Sequence, residues 1–236
     1  SDAPPQIDLA GVTLRYPEAG QPALRELSLR IPAHGRCALV GPVGSGKSSL
    51  VWLLSGLGKA ESGRITPGPE ELRDELAVLE QHPHIFHASI RENLLLAKPN
   101  AQENELIRVC EAARLREVVD ALPAGLDSVV GRSGAQLSAG EQKRLALART
   151  LLRPASVLLL DEPTEHLDPT AERDILSSLF AFAKEKSLVV VTHRLVEMER
   201  FDRIFVMERG ALVEEGTHRK LLSKQGLYAH MWNMLA

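Results

Sequence analysis

Apolar and polar positions alternate from Ile7 to Tyr16, the period of a strand buried on one face, and a second strand is expected over Leu24 to Ile31. Three later apolar runs do not alternate at all: Cys37-Ala38-Leu39-Val40, Val157-Leu158-Leu159-Leu160 and Leu188-Val189-Val190-Val191. Short continuous runs of this kind predict strands buried on both faces of a parallel sheet. Leu76 to Glu80 predicts a further strand, and Arg203–Met207 with Ala211–Glu214 a hairpin followed by closing helices up to Ala236. Helical periodicity begins at Ser49. From about Ser89 to Ala135 it recurs over Ile90–Leu96, Glu103–Ala113 and Leu115–Ala121 with no strand between. The pattern therefore predicts an α/β domain: a mixed-sheet core over about 1–88 and 136–236, interrupted by a helical subdomain over about 89–135.

Composition narrows the class without naming a chemistry. With 236 residues, 44% hydrophobic and 25% charged, the chain carries enough apolar surface for one large domain. A net charge of −3 supplies no basic field for nucleic acid, so no nucleic-acid partner is expected. The two cysteines, Cys37 and Cys110, lack metal or redox spacing and read as reduced thiols. No uncharged apolar stretch approaches the roughly 20 residues that span a bilayer, so any membrane role needs a partner or a further segment. A first residue of Ser1 rather than Met suggests a processed chain or part of a longer one.

Chemistry enters at Gly41-Pro42-Val43-Gly44-Ser45-Gly46-Lys47-Ser48, set between the run ending at Val40 and the helix opening at Ser49. A strand, a glycine-rich turn and a helix N-terminus aim successive backbone N–H groups at one point, where the helix dipole favours a phosphate. Lys47 then reaches the β- and γ-phosphates and the Ser48 hydroxyl can hold magnesium. Two carboxylates, Asp161 and Glu162, follow the apolar run at Val157, where open α/β sheets place their ligands. Asp161 suits the shell of Mg2+, and Glu162 can act as general base toward an attacking water. Val189-Val190-Val191-Thr192 delivers His193 from another buried strand end, placed to contact a γ-phosphate. Gln81, after the strand Leu76 to Glu80, can offer its amide oxygen to the metal or the water.

Together these segments resemble the nucleotide-binding domain of ATP-binding cassette (ABC) transporters. The element that separates this family from other phosphate-loop proteins is Leu137-Ser138-Ala139-Gly140-Glu141-Gln142, followed by a helix over Lys143–Arg149. The resemblance implies the ABC ATPase fold: a P-loop NTPase core with mixed sheet, an N-terminal antiparallel β subdomain and the inserted helical subdomain. It implies ATP and Mg2+ as ligands, with Tyr16 stacking on adenine and the loop from Gly41 to Ser49 holding the phosphates. Ser48, Gln81 and Asp161 would hold the metal, and Lys47, Gln81, Glu162 and His193 would serve hydrolysis. It also implies that Ser138, Ala139, Gly140 and Glu141 contact the ATP of a second nucleotide-binding domain packed head to tail. Glu165-His166-Leu167-Asp168 matches the family's D-loop.

The stretches Gln81–Phe86, Ser89–Leu94, His193-Arg194-Leu195 and Glu214–His218 resemble the exporter branch. There the segment around Phe86 would receive a transmembrane domain carried on the same chain, at the cytoplasmic face of a bacterial inner membrane. Three departures stand out. Ala139 and Glu141 replace glycine and glutamine, adding a methyl that would crowd the partner's phosphate and a carboxylate that would repel it. Arg132 stands where an acidic residue is usual, and Glu165-His166 replace small residues. This asymmetry suggests one half of a heterodimer. Asp161–Asp168 and Phe201–Ile204 are most similar to the CydC-type subunits of CydDC exporters, linked to thiol export and cytochrome bd assembly. Two alternatives remain at this level: a soluble ABC-superfamily ATPase acting in repair or on ribosomes, and a regulatory module that binds ATP without hydrolysing it.

Overall fold

The structure, a computed structural model, describes residues 3–131 and 134–235. These divide into two compact units, one formed by residues up to 78 with 155–162 and 184 onward, the other by 79–154 and 163–183.

The first unit holds the strands. β1 (Ile7–Leu14) pairs antiparallel with β2 (Leu24–Ile31). β1 ends two residues before Tyr16, and Pro17 just beyond cannot donate to a ladder. The residues Ile7, Leu9, Val12 and Leu14 are all buried, although Leu9 and Val12 are three apart: a bulge at Gly11, φ 59°, shifts the alternation by one residue and returns Val12 and Leu14 to the inner face. β3 (Arg36–Val40) lies centrally in the second sheet, α1 (Lys47–Leu54) follows it, and β4 (Ser62–Thr66) returns to the other edge of β1. α2 (Pro69–Leu72) and β5 (Leu76–Leu79) come next.

The large sheet has the order β5, β6 (Val157–Asp161), β7 (Ser187–Thr192), β3, β8 (Arg203–Glu208), β9 (Ala211–Gly216). β6, β7, β3 and β8 run parallel, and β9 turns back antiparallel on β8, making the sheet mixed. Every residue of β6 and β7 is buried, which is why their sequences show no alternation. The register puts Val40 opposite Thr192 and Asp161 opposite Val191, so the carboxyl ends of β3, β6 and β7 come out level. α8 (His218–Lys224) and α9 (Leu227–Leu235) close the unit.

The second unit is helical: α3 (Ile90–Leu95), α4 (Glu103–Ala112), α5 (Arg116–Ala121), α6 (Ala139–Leu152) and α7 (Pro169–Phe182). Its helices include the three expected between 89 and 135, and it takes in α6 and α7 as well. Arg91 of α3 pairs with Glu103 at the start of α4 and with Asp127, which lifts the Arg91 pKa above its ordinary range.

Candidate functional site

The turn from β3 into α1 is shaped by glycines that no other residue could replace. Gly46, the N-cap of α1, has φ 101°, and a Cβ there would lie 2.7 Å from the Ala23 carbonyl oxygen. At Gly41 a Cβ would come within 2.2 Å of the Met207 carbonyl oxygen. α1 has no side-chain cap, so the N–H groups of its first turn, from Lys47, Ser48 and Ser49, are left for an anion. Val43 is 89% exposed at the tip of the loop.

Lys47 is buried, and its ammonium donates to the Gly41 carbonyl at 2.6 Å, the Pro42 carbonyl at 3.0 Å and Ser45 Oγ at 3.3 Å. Burial lowers its pKa by favouring the neutral amine, opposed by the charges of Glu162 and Asp161. Ser48 Oγ lies 3.4 Å from Asp161 Oδ2 across the β3–β6 end of the sheet. A hydroxyl and a carboxylate so placed are hard oxygen donors and leave most positions of an octahedral ion to phosphate and water, a set that fits magnesium.

Glu162, one residue beyond β6, is 4% exposed and has φ 49°, a left-handed conformation that costs a non-glycine residue on the order of 1 kcal/mol or more. That turn sends its carboxylate across to the end of β7. There the His193 backbone N–H donates to Oε1 at 2.9 Å, His193 Nδ1 lies 2.6 Å from Oε1, and Thr192 Oγ1 donates to Oε2 at 3.1 Å. Tyr16 is partly exposed, donates its hydroxyl to Ser49 Oγ at 3.0 Å and lies against Trp52, ring centroids 5.4 Å apart. The first unit thus brings Tyr16, the Gly41–Ser49 loop, Asp161, Glu162 and His193 into one sheet end.

The remaining expected residues belong to the second unit. Ser138 is the N-cap of α6, its Oγ accepting from the Glu141 N–H at 3.2 Å, while the Glu141 carboxylate accepts from the Ser138 N–H at 2.8 Å. This capping box gives the Glu141 carboxylate a structural partner on its own helix. Gly140 packs against the D-loop: a Cβ there would meet Leu167 Cδ2 at 3.1 Å and the His166 carbonyl oxygen at 3.4 Å. Arg132 lies outside the described residues. Sequence reasoning passed over two side chains, Thr192 and Lys143. The Lys143 ammonium, buried on α6, donates to the carbonyls of Glu80 at 3.1 Å and Gln81 at 2.7 Å, anchoring the backbone that carries Gln81. A lysine in a helix ordinarily reads as a solvent-facing residue, so no pattern flagged it; for Thr192 the signal was a polar residue closing an apolar strand just before His193.

Residues 24–165 match the sequence pattern of the ABC transporter family, well over half of the chain. The chain belongs to that family. Among its relatives is the glutathione/L-cysteine transport system ATP-binding/permease protein CydC of Escherichia coli, 40% identical over 230 residues. Another is an ATP-dependent lipid A-core flippase of Photobacterium profundum, 38% identical over 234 residues. These alignments cover 94% and 95% of the chain but only 40% of each relative. A bacterial Atm1-family ABC exporter solved with ATP bound superposes with a TM-score of 0.91 at 34% identity, over 98% of this chain and 42% of that one. The ABC fold is therefore established here, and with it an ATP-binding domain.

Proposed function

We propose that this domain hydrolyses ATP to drive export through a transmembrane domain, working as a head-to-tail pair with a second nucleotide-binding domain. The observation that carries this reading is the Glu162 carboxylate, turned by its left-handed backbone onto His193 at the sheet end that also bears Lys47 and Ser48. N–H groups of the loop from Gly41 to Ser49 and the Lys47 ammonium hold the β- and γ-phosphates, and Tyr16 receives the adenine. Ser48 and Asp161, with Gln81, would hold magnesium, which supplies charge neutralisation on the phosphates.

The water oxygen attacks the γ-phosphorus as the bond to the bridging oxygen of ADP breaks, and Glu162 takes the proton that the water gives up. A carboxylate offers about four acceptor sites. Three are engaged by Thr192 and His193, which leaves one for that proton. His193, oriented through Nδ1, would contact the γ-phosphate, and a ring that donates from Nδ1 to Glu162 donates from Nε2 to phosphate only when it carries both protons. Ser138 and Gly140 at the start of α6 close the nucleotide of the partner, and Ala139, Glu141 and His166 favour a partner that is a different cassette, in a heterodimer. The segment around Phe86 would meet the transmembrane domain, at the cytoplasmic face of the inner membrane.

Relatives named for glutathione and L-cysteine, for lipid A-core and for mesentericin are all 38–41% identical to this chain. Similarity of this domain therefore follows the ATP-driven motor and not the cargo. The test is Glu162→Gln, which keeps the side chain's size and removes its capacity to take a proton. Turnover should fall at least about 100-fold while ATP binding persists. Parental turnover would dismiss Glu162 as the base.

A further inference from the structure

The hydroxyl of Thr192 is the part of this site that the proposed mechanism leaves without a task. Thr192 closes β7, is 4% exposed, and lies beside the residue whose imidazole meets Glu162. Its Oγ1 accepts from the Arg194 N–H at 2.9 Å, which fixes one lone pair and turns the hydroxyl proton to the other side. Two acceptors lie within reach of that proton: Glu162 Oε2 at 3.1 Å and the Arg194 carbonyl at 3.3 Å. The carboxylate is nearer and charged, and a charged acceptor makes the stronger bond.

Oε1 of Glu162 is already held by two groups of His193, whereas among the described residues Thr192 Oγ1 is the donor that the structure gives to Oε2. A carboxylate pinned through a single oxygen can rotate about its own axis; pinned through both, it cannot. Misplacing a base by a fraction of an ångström costs rate without costing affinity, because the proton transfer occurs only on the way to the transition state.

We propose that Thr192 is a positioning residue for Glu162: its hydroxyl sets the rotation of the carboxylate so that the remaining acceptor site meets the attacking water. The proposal rests on the reading of Glu162 as general base. In this role Thr192 acts through Glu162.

The experiment compares Thr192→Val, Thr192→Ala and Thr192→Ser with Glu162→Gln in steady-state ATPase assays on the purified protein. Valine keeps the shape and removes the hydroxyl, alanine removes it without a β-branch should valine fail to fold, and serine restores it. Loss of one hydrogen bond to a charged group predicts that kcat falls about tenfold in the valine and alanine variants. KM for ATP should stay within about twofold, and the serine variant should keep kcat within about threefold of the parent. A purely structural role would not separate kcat from KM, nor respond to the hydroxyl alone. A kcat within twofold of the parent in either hydroxyl-free variant, a loss confined to KM, or a serine variant as slow as valine would each overturn the proposal. The two readings fail separately. If Glu162→Gln is inactive and Thr192→Val is unimpaired, only the role of Thr192 falls; if Glu162→Gln turns over like the parent, the base assignment falls and Thr192 with it.

Discussion

Lys47 shows how a single residue trades stability for binding. Its ammonium is buried, and burial alone favours the neutral amine; three oxygen acceptors from the loop, along with Asp161 and Glu162 nearby, offset that cost. Lys47→Met removes the buried charge and keeps an unbranched chain of similar length. The nucleotide-free variant should melt no lower than the parent, while the stabilisation that ATP gives the parent, about 2.7 kcal/mol at one hundred times Kd and read as an upward shift in melting temperature, should vanish. A calorimetric or dye-based melt with and without ATP reads both; a persistent ATP shift would show that the backbone N–H groups suffice without Lys47. At this scale the sequence was most legible, because glycines, lysine and serine at fixed spacing encode a geometry that only such residues adopt. Thr192 was illegible for the opposite reason. Its role depends on a carboxylate 30 residues away in sequence that reaches it only through a left-handed backbone at Glu162.

Among elements, the two-sided burial of β3, β6 and β7 was readable from their unbroken apolar runs, and the one-sided burial of β1 from its alternation on either side of the bulge at Gly11. β4 was not. Its residues are mostly exposed and it stands at the edge of a three-stranded sheet, so no apolar period marks it and only its pairing with β1 defines it. α6 gives Glu141, which the sequence view set against the partner's ATP with a carboxylate that would repel phosphate, a second role on its own helix. Half of a capping box, it holds the Ser138 N–H, and Ser138 returns the bond. Ser138→Ala should therefore cost about 1 kcal/mol of stability in addition to any loss in the ATPase cycle. Glu141→Gln, which can still close the box, should be stability-neutral within about 0.5 kcal/mol. Denaturant melts of the two variants decide it, and a Glu141→Gln loss as large as that of Ser138→Ala would mean the negative charge at the dipole's positive end carries the capping energy.

At the scale of the whole molecule, the candidate residues fall in two compact units: Lys47, Asp161, Glu162 and His193 in one, Gln81 and the Ser138–Glu141 segment in the other. Each unit also carries one buried free thiol, Cys37 in β3 and Cys110 in α4, both shielded from solvent. Burial pushes each thiol from an ordinary value near 9 up to about 12. The sign follows directly. In the unfolded chain both ionise above about 9, while the folded chain keeps its protons until about 12, so stability falls as pH rises through that window and is untouched by these groups below it. Near pH 8 the native thiols are neither exposed nor ionised, so a maleimide reaches each only when its unit opens. ATP bound to the phosphate loop stabilises the first unit directly. At one hundred times Kd it should slow labelling of Cys37 about 100-fold, and labelling of Cys110 far less if the second unit opens on its own. Mass spectrometry of the Cys37→Ala and Cys110→Ala chains, each with a single thiol, separates the two rates. Equal protection of both thiols would show instead that nucleotide binding ties the two units into one cooperative body, and that the helical unit senses ATP on this chain's own loop before any partner arrives.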